Sequence, residues 1–597
     1  MSVTNQLAVE KTVARAEAEL VGQWLAQLDV ALQTASRATV ASLFAPDSHW
    51  RDLLAFTWTI TPCAGAEGIA ALLVAKQEAT SARGFTVAEG RTPPRRVQRA
   101  GIDVIEGIFQ FETQLGRGFG VVRLLAANPT VAFQLMTGLH ELRGFEEKIG
   151  KRRPTGEAFS RNFGGTNWKE QRIASQTYAD RDPVVLIAGG GQAGLSLAAT
   201  LGRIGVDTLV VDRFERVGDC WRQRYHSLAL HNDTSYNHLP YMPFPPSWPT
   251  YLPKDMVADW FEAYAWAMEL NFWTATELVH GTYDASAGRW NAVVRYGDGT
   301  ERTLHPKHLV FANGLVGSAH IPELPGLKDY KGEVLHTTAF TNGAGWRGKK
   351  ALVIGTGTSG HDVAQDLHAN GCETTIVQRG STMVISIDPS AKLTYGVYNG
   401  ILLEDGDLLA STNTKPMVKK NLQGLTARML EYDRKTIDGL IALGFKFDAG
   451  EDGAGHQWKV RTRYGGYYLD AGCSQLIIDR EVGLLQYDQI ERFVEQGALL
   501  KDGSVVPADL IVLATGFVSQ EVVVAKLLGD EIAQKVGPVW GFAADGEMNN
   551  MWKRTPQEGL WFVGGSFANC RTYSRYVALQ IKAIEEGILP RQTSPAN

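Results

Sequence analysis

Cysteine is scarce and scattered: five in 597 residues, at 63, 220, 372, 473 and 570, with no Cys-x-x-Cys and no other close pair. That excludes a disulfide framework and a cysteine zinc centre, and no metal site is expected. Long apolar runs are also missing, and none approaches the ~20 residues that span a bilayer. The first residues carry Glu10, Lys11, Arg15, Glu17 and Glu19 where a secretory signal would have an apolar core. A reducing, cytoplasmic setting is expected. Charge of one sign is lacking too. The net charge is -5, and the most basic stretch, 148–153, ends at Pro154 and reads as a solvated linker. No clustered basic face of the kind that binds nucleic acid is present.

What is there is glycine, 63 of them, in a chain of otherwise ordinary makeup, 44% apolar and 21% charged. The length implies about three or four compact units. Residues 1–150 read as an α+β unit, with helical spacing through Leu25, Leu28, Ala31 and Leu32 and strand-like runs at 119–125 and 131–136. Residues 151–182 read as a linker. Beyond it the pattern divides into 183–345, 346–505 with an insertion at 380–480, and 506–597. Buried parallel strands are expected at 184–188, 351–354 and 510–514. No repeat with a period of 20–50 residues appears, which excludes a solenoid.

The first expected strand runs into Gly189-Gly190-Gly191-Gln192-Ala193-Gly194 and then an apolar helix. In G-x-G-x-x-G the first glycine makes the turn, the second lets a diphosphate approach, and the third packs helix on strand. The helix N-terminus then offers free N–H groups to the phosphates. The next strand ends at Asp212-Arg213, an acid about 20 residues on, where a ribose hydroxyl is read.

A second copy, Gly355-Thr356-Gly357-Thr358-Ser359-Gly360, follows the strand at 351–354. Its next strand ends at Gln378-Arg379, with no acid. A guanidinium grips a 2′-phosphate, so NADP(H) is expected in preference to NAD(H). Two dinucleotide cradles imply an electron relay. The fold class expected is α/β, with two Rossmann-type dinucleotide-binding domains plus an N-terminal α+β cone.

From residue 180 onward the chain resembles the flavin-containing monooxygenases. Gly218-Asp219-Cys220-Trp221 is similar to an element lying along FAD. The stretch 330–340 resembles F-x-G-x-x-x-H-x-x-x-[FWY], with Tyr330 for the first Phe. Leu513-Ala514-Thr515-Gly516-Phe517, Phe311-Ala312-Asn313-Gly314 and Gly559-Leu560-Trp561-Phe562-Val563-Gly564-Gly565 resemble other family strands. The extension is similar to the nuclear-transport-factor-like domain of the type II subgroup.

The resemblance implies FAD on the first unit and NADPH on the second, NADH being tolerated within that subgroup. It implies O2 activation as a flavin C4a-(hydro)peroxide and one oxygen atom placed on a small organic molecule. The reaction is either Baeyer–Villiger insertion at a ketone or oxidation at nitrogen or sulfur. A homodimer is expected because the cone fold often pairs. Asn232 is the expected catalytic amide, with His231 beside it; Tyr236 and His238 are weaker candidates. The cofactor set expected is Gly189, Gly191, Gln192, Ala193, Gly194, Asp212, Arg213, Trp221, His231, Asn232, Val279 and Thr515 for FAD. For the nicotinamide nucleotide it is Gly355, Gly357, Thr358, Ser359, Gly360, Gln378 and Arg379. His336 reads as a hinge residue more readily than as a base. His49, Trp50, Arg51 and Asp52 are candidates to line a cone pocket, though a structural role is favoured. The competing readings are an NADPH oxidase that only makes peroxide, a disulfide-type flavoprotein reductase, and a flavoprotein scaffold. The reductase needs a redox cysteine pair, and Cys220 has no near partner.

Overall fold

A computed structural model of the chain describes residues 3–156, 161–315 and 317–591. Part of the expected linker, 157–160, lies outside the described residues.

The N-terminal unit is a seven-stranded sheet. Its spatial order is Ile60–Ala64, Phe44–Leu53, Asn128–Leu142, Gly116–Leu125, Ile102–Glu112, Arg83–Val87, with Arg95–Arg99 also on Ile102–Glu112. One face packs on the helices Val3–Gln33 and Ala66–Thr80 through Trp24, Leu25, Leu28, Ile69 and Leu73, all essentially inaccessible. Aromatic rings fill this interior: Trp24 on Phe44 at 5.6 Å, Trp50 on Phe56 at 5.6 Å, Phe85 on Phe111 at 5.1 Å.

Strand alternation splits the 49–52 group. Trp50 and Asp52 point inward, where Trp50 Nε1 and Asp52 Oδ1 share the Thr137 hydroxyl at 3.0 and 2.6 Å. His49 and Arg51 point to the other face, where they meet Thr414 and Glu547. The four therefore do not line one pocket.

That outer face carries a buried charge cluster. Glu106 receives Arg123 at 2.9 Å and Arg99 at 2.8 and 2.6 Å, with Arg95 at 3.4 Å. Burial alone would raise the Glu106 carboxyl, but the guanidiniums of Arg123 and Arg99 hold it down at about 2. Arg123 is itself held below its usual value, by burial first and then by Arg99 and Arg95, because three cations share one anion. A depressed acid contributes stability above its unfolded pKa and loses it as pH falls through the folded one. Between pH 4.5 and about 2 the melting temperature of the wild type is expected to fall more steeply than that of Glu106→Gln, the variant starting lower at neutral pH. Parallel pH profiles of the two proteins would remove Glu106 from this role.

The expected linker contains a helix, Trp168–Thr177, closed by a reciprocal capping box between Asn167 and Glu170. Next comes a five-stranded parallel sheet in the order Asn271–Trp273, Thr208–Val211, Val185–Ala188, His308–Phe311, Leu560–Phe562. A second parallel sheet runs Glu333–His336, Leu510–Leu513, Lys350–Ile354, Glu373–Gln378, Gly483–Gln486. The strands at 333–336 and 510–513, which the sequence division assigns to the first unit, thus hydrogen-bond within the second. Each centre strand reads as an unbroken apolar run because both its faces are covered. Two doubly wound units of the Rossmann type result, and in each the glycine turn follows a central strand, the usual ligand crevice.

The insertion pairs Met383–Ser386 with Tyr467–Asp470 and carries five α-helices, among them Leu403–Ser411, Lys415–Tyr432 and Gly455–Arg463. The N-terminal sheet docks on it: Arg123 reaches Asn413 and the Leu409 carbonyl, and Arg91 and Thr92 reach Asp405. Among the described residues no helix is long and apolar enough to cross a membrane, and no group of side chains could hold a metal ion.

Candidate functional site

Both glycine turns have the same internal logic. Gly189 and Gly355 sit at φ 116° and 121°, and an added Cβ would strike the backbone of Ala312 or Ala514 at 2.5 or 2.4 Å. Gly194 and Gly360 pack on the carbonyls of Gly189 and Gly355, where a Cβ would come within 2.0 and 2.1 Å. The middle glycines differ. A Cβ on Gly191 would meet nothing nearer than Cys220 Sγ at 3.8 Å, and one on Gly357 nothing nearer than the Tyr467 carbonyl at 3.9 Å. The fold leaves space only at the two positions where a diphosphate must approach, each at the N-cap of the following helix, Gln192–Arg203 or Thr358–Ala369. In the second cradle the buried Thr358 hydroxyl has no hydrogen-bond partner, a donor suited to a phosphate oxygen.

Asp212 accepts the N–H groups of Gly190 and Phe214 at 2.6 and 3.0 Å, which fixes it at the end of its strand. Burial pushes its carboxyl up against these two bonds. Arg213 is exposed beside it. Gln192, at the helix start with Ala193, donates to the Gly565 carbonyl at 3.3 Å and ties the first turn to the last strand. Trp221 leans on Phe567 at 6.3 Å. Val279 sits at a register shift in Thr276–Asp284, away from the glycine turn in sequence. Thr515 donates to the His320 carbonyl at 2.5 Å.

In the second unit Ser359 joins Tyr225, whose hydroxyl also donates to Asp362 at 2.5 Å. Gln378 is fully buried. Its amide donates to the Lys446 carbonyl at 2.9 Å, and its oxygen accepts from Lys446 N–H and Gln486 at 2.7 and 3.1 Å. Its side chain therefore serves the insertion and not a ligand, a correction to the sequence expectation. Arg379 is exposed and makes no hydrogen bond or ion pair among the described residues. All five cysteines are free, and burial pushes the Cys220 thiol up to about 12, far from the reactive thiolate a reductase requires.

His336 acts as a fastener. Its Nδ1 accepts the Thr338 N–H at 3.2 Å, so the proton is on Nε2, which donates to the Gly516 carbonyl at 3.1 Å. That pins the strand 333–336 to the segment entering the first unit, and burial lowers the imidazole below its ordinary value.

Asn232 and His231 begin a turn capped by Asp233, whose carboxylate accepts Ser235 N–H at 2.9 Å. Tyr236 stacks on Tyr395 at 4.1 Å. Tyr395 in turn lies beside Asn232 and Gln457. Burial lowers His231 to about 4, and burial with His231 and Arg461 nearby lowers His456 to about 3. His238 accepts the Phe244 N–H at 2.9 Å, a turn-forming role, and is also lowered to about 4 by burial and Arg571. Tyr464 and Tyr467 adjoin Tyr395 from the far side of the insertion. His231, Tyr395, Arg461, Tyr464 and Tyr467 are enclosed by protein yet each keeps some accessible surface, so they line an internal hollow. Tyr467 reaches this space from the strand Tyr467–Asp470. Tyr395, His456, Arg461 and Tyr573 were not foreseen. They carry no motif and come from three places in the chain.

Such a hollow can hold a flat apolar molecule beside a hydrogen-bonding amide, with both nearby imidazoles uncharged at neutral pH.

Residues 184–430 match the model of the flavin-binding monooxygenase-like family. The indole-3-pyruvate monooxygenase YUCCA1 of Oryza sativa subsp. japonica is 34% identical over 221 residues, 37% of this chain and 53% of that protein. The chain thus spans about half the length of that relative. The probable indole-3-pyruvate monooxygenase YUCCA4 of Arabidopsis thaliana is 29% identical over 344 residues, 56% of this chain and 76% of the relative. In fold, a mutant cyclohexanone monooxygenase from Rhodococcus sp. Phi1 bound to NADP+ is similar, with a TM-score of 0.50, 16% identity, and coverage of 68% of this chain and 87% of that one.

Proposed function

We propose that this chain, whose residues 184–430 match the flavin-binding monooxygenase-like family, is an FAD-dependent, NADPH-using monooxygenase. It places one atom of O2 on a small organic molecule, at a ketone or at nitrogen or sulfur, and works as a cytoplasmic homodimer. The observation that carries this reading is the pair of open positions at Gly191 and Gly357 in two otherwise close-packed turns.

FAD would lie along Gly189 to Gly194, Asp212 and Trp221, and the nicotinamide nucleotide along Gly355 to Gly360 and Arg379. When bound, they supply hydride transfer and O2 activation. The chain's own contribution is placement. The helix N-termini at Gln192 and Thr358 hold phosphate, and Asp212 orients a ribose. Asn232, beside Tyr395, offers its amide N–H at the reacting end of the hollow. His231 and His456, kept neutral by burial, withhold protons there. The enclosing tyrosines exclude water.

The test is anaerobic reduction of the purified yellow enzyme with NADPH, followed by rapid mixing with O2. Reoxidation in two resolved phases is expected, the slower one hastened by substrate with formation of an oxygenated product. Single-phase reoxidation that releases one equivalent of hydrogen peroxide, substrate or not, would leave an oxidase and overturn the reading.

A further inference from the structure

Several cations near the hollow are matched by acids. Arg51 holds Glu547 by two bonds of 2.7 Å. Arg571 holds Asp407 in the same way, also at 2.7 Å. Arg575 reaches Glu147 at 3.2 Å and Lys459 reaches Asp448 at 2.7 Å. Arg461, on the helix Gly455–Arg463, has no carboxylate partner among the described residues. Its side chain makes one hydrogen bond there, from Nη1 to Gln457 Oε1 at 3.2 Å. The charged or ionisable groups that reach it are Tyr573, Tyr395 and Arg51. The Tyr395 phenol does not neutralise it, since burial raises its pKa. The neighbouring His456 is lowered to about 3 and adds no negative charge.

An enclosed guanidinium without a counter-ion is costly. Arg461 also stands where substrate would. Through Tyr395 it is one side chain removed from Asn232. Around it are the faces of Tyr395, Tyr464 and Tyr467, flat and largely apolar.

Resting on the monooxygenase reading of the same hollow, we propose that the substrate is an aromatic molecule bearing a carboxylate, and that Arg461 is the specificity-determining residue that receives this carboxylate. A planar guanidinium suits a carboxylate because it donates two parallel N–H groups. The ring lies among the tyrosines, and the charged end fixes which atom faces Asn232.

The probes are 3-phenylpropanoate and 3-phenylpropanamide, which share ring and chain and differ in the charge of the head. Their binding to the oxidised, flavin-loaded enzyme is measured by calorimetry, with NADP+ titrated separately. In the wild type the carboxylate is expected to bind at least tenfold tighter than the amide. Arg461→Gln should erase that preference, and Arg461→Lys should restore part of it. NADP+ affinity should change less than threefold in both variants. Equal affinities of the two probes in the wild type overturn the inference, and so does a preference that survives Arg461→Gln. A loss of NADP+ binding equal to the loss of carboxylate binding also overturns it, by assigning Arg461 to the nucleotide. Flavin content and NADPH reduction, read on the same samples, report separately on the monooxygenase reading. If they fail, that reading falls whatever the probes do.

Discussion

Alanine at position 357 will weaken NADPH binding by about 100-fold, close to 3 kcal/mol, while flavin content and melting temperature stay at wild-type values. Gly357 has φ -79°, which alanine adopts freely, and the nearest protein atom to its Cβ is 3.9 Å away. Only a ligand diphosphate would feel the methyl group. Gly191→Ala is the mirror experiment. With φ -78° and 3.8 Å of clearance the protein should fold normally and purify without its yellow colour. Gly194→Ala and Gly360→Ala are the contrasting controls. Their Cβ atoms would sit 2.0 and 2.1 Å from backbone carbonyls, so these variants lose thermal stability first. Arg379→Ala gives the graded effect: KM for NADPH rises far more than KM for NADH, as expected of an exposed guanidinium that reads only the 2′-phosphate. Calorimetry with NADPH and the ratio of flavin to protein absorbance check the first two variants, melting temperatures the two controls, and steady-state kinetics Arg379→Ala. Full flavin in Gly191→Ala would refute the cradle.

Arg51→Ala will destabilise the docking of the N-terminal unit by roughly 3–5 kcal/mol, the usual consequence of leaving one partner of a buried ion pair alone. Arg51 is 7% exposed and Glu547 6%. The same guanidinium also donates to the Ser411 carbonyl at 2.8 Å and to the Tyr573 hydroxyl at 3.1 Å, so its loss frees three attachments at once. Urea unfolding followed by tryptophan fluorescence should shift to a lower midpoint. KM for substrate should rise as well, because Tyr573 lies next to Arg461 at the hollow. Replacing Arg51 by Met and Glu547 by Leu together should recover much of the stability, since the uncompensated charge is gone. A double variant no more stable than Arg51→Ala would show that the pair is not the fastening.

Local patterns made much of the fold legible. Unbroken apolar runs announced buried parallel strands, and the two G-x-G-x-x-G turns with their following helices announced the cradles. One equally local signal, Asn167 with Glu170 three residues on, was passed over: it caps a helix inside what was read as a linker. The turn around Asn232 and the fastening role of His336 were also suggested by neighbouring residues. Gln378 was not decidable in this way. Whether a strand-end amide faces a ligand or a loop depends on where Lys446 and Gln486 come to rest. The 49–52 group misled because neighbours along a strand point to opposite faces, and the outer face became an interface that no local pattern signals.

The sequence by itself determined the two diphosphate cradles, the acid after the first and the arginine after the second, because backbone conformation and strand-to-helix order are set by residues a few positions apart. The tertiary structure alone decided which side chains share the hollow. Asn232, Tyr395, Arg461 and Tyr573 meet only after two sheets, an insertion and a C-terminal helix have packed together. It alone also decided that Arg461 has no acid beside it. Charge pairing depends on distance in space, and these residues lie up to several hundred positions apart in the chain.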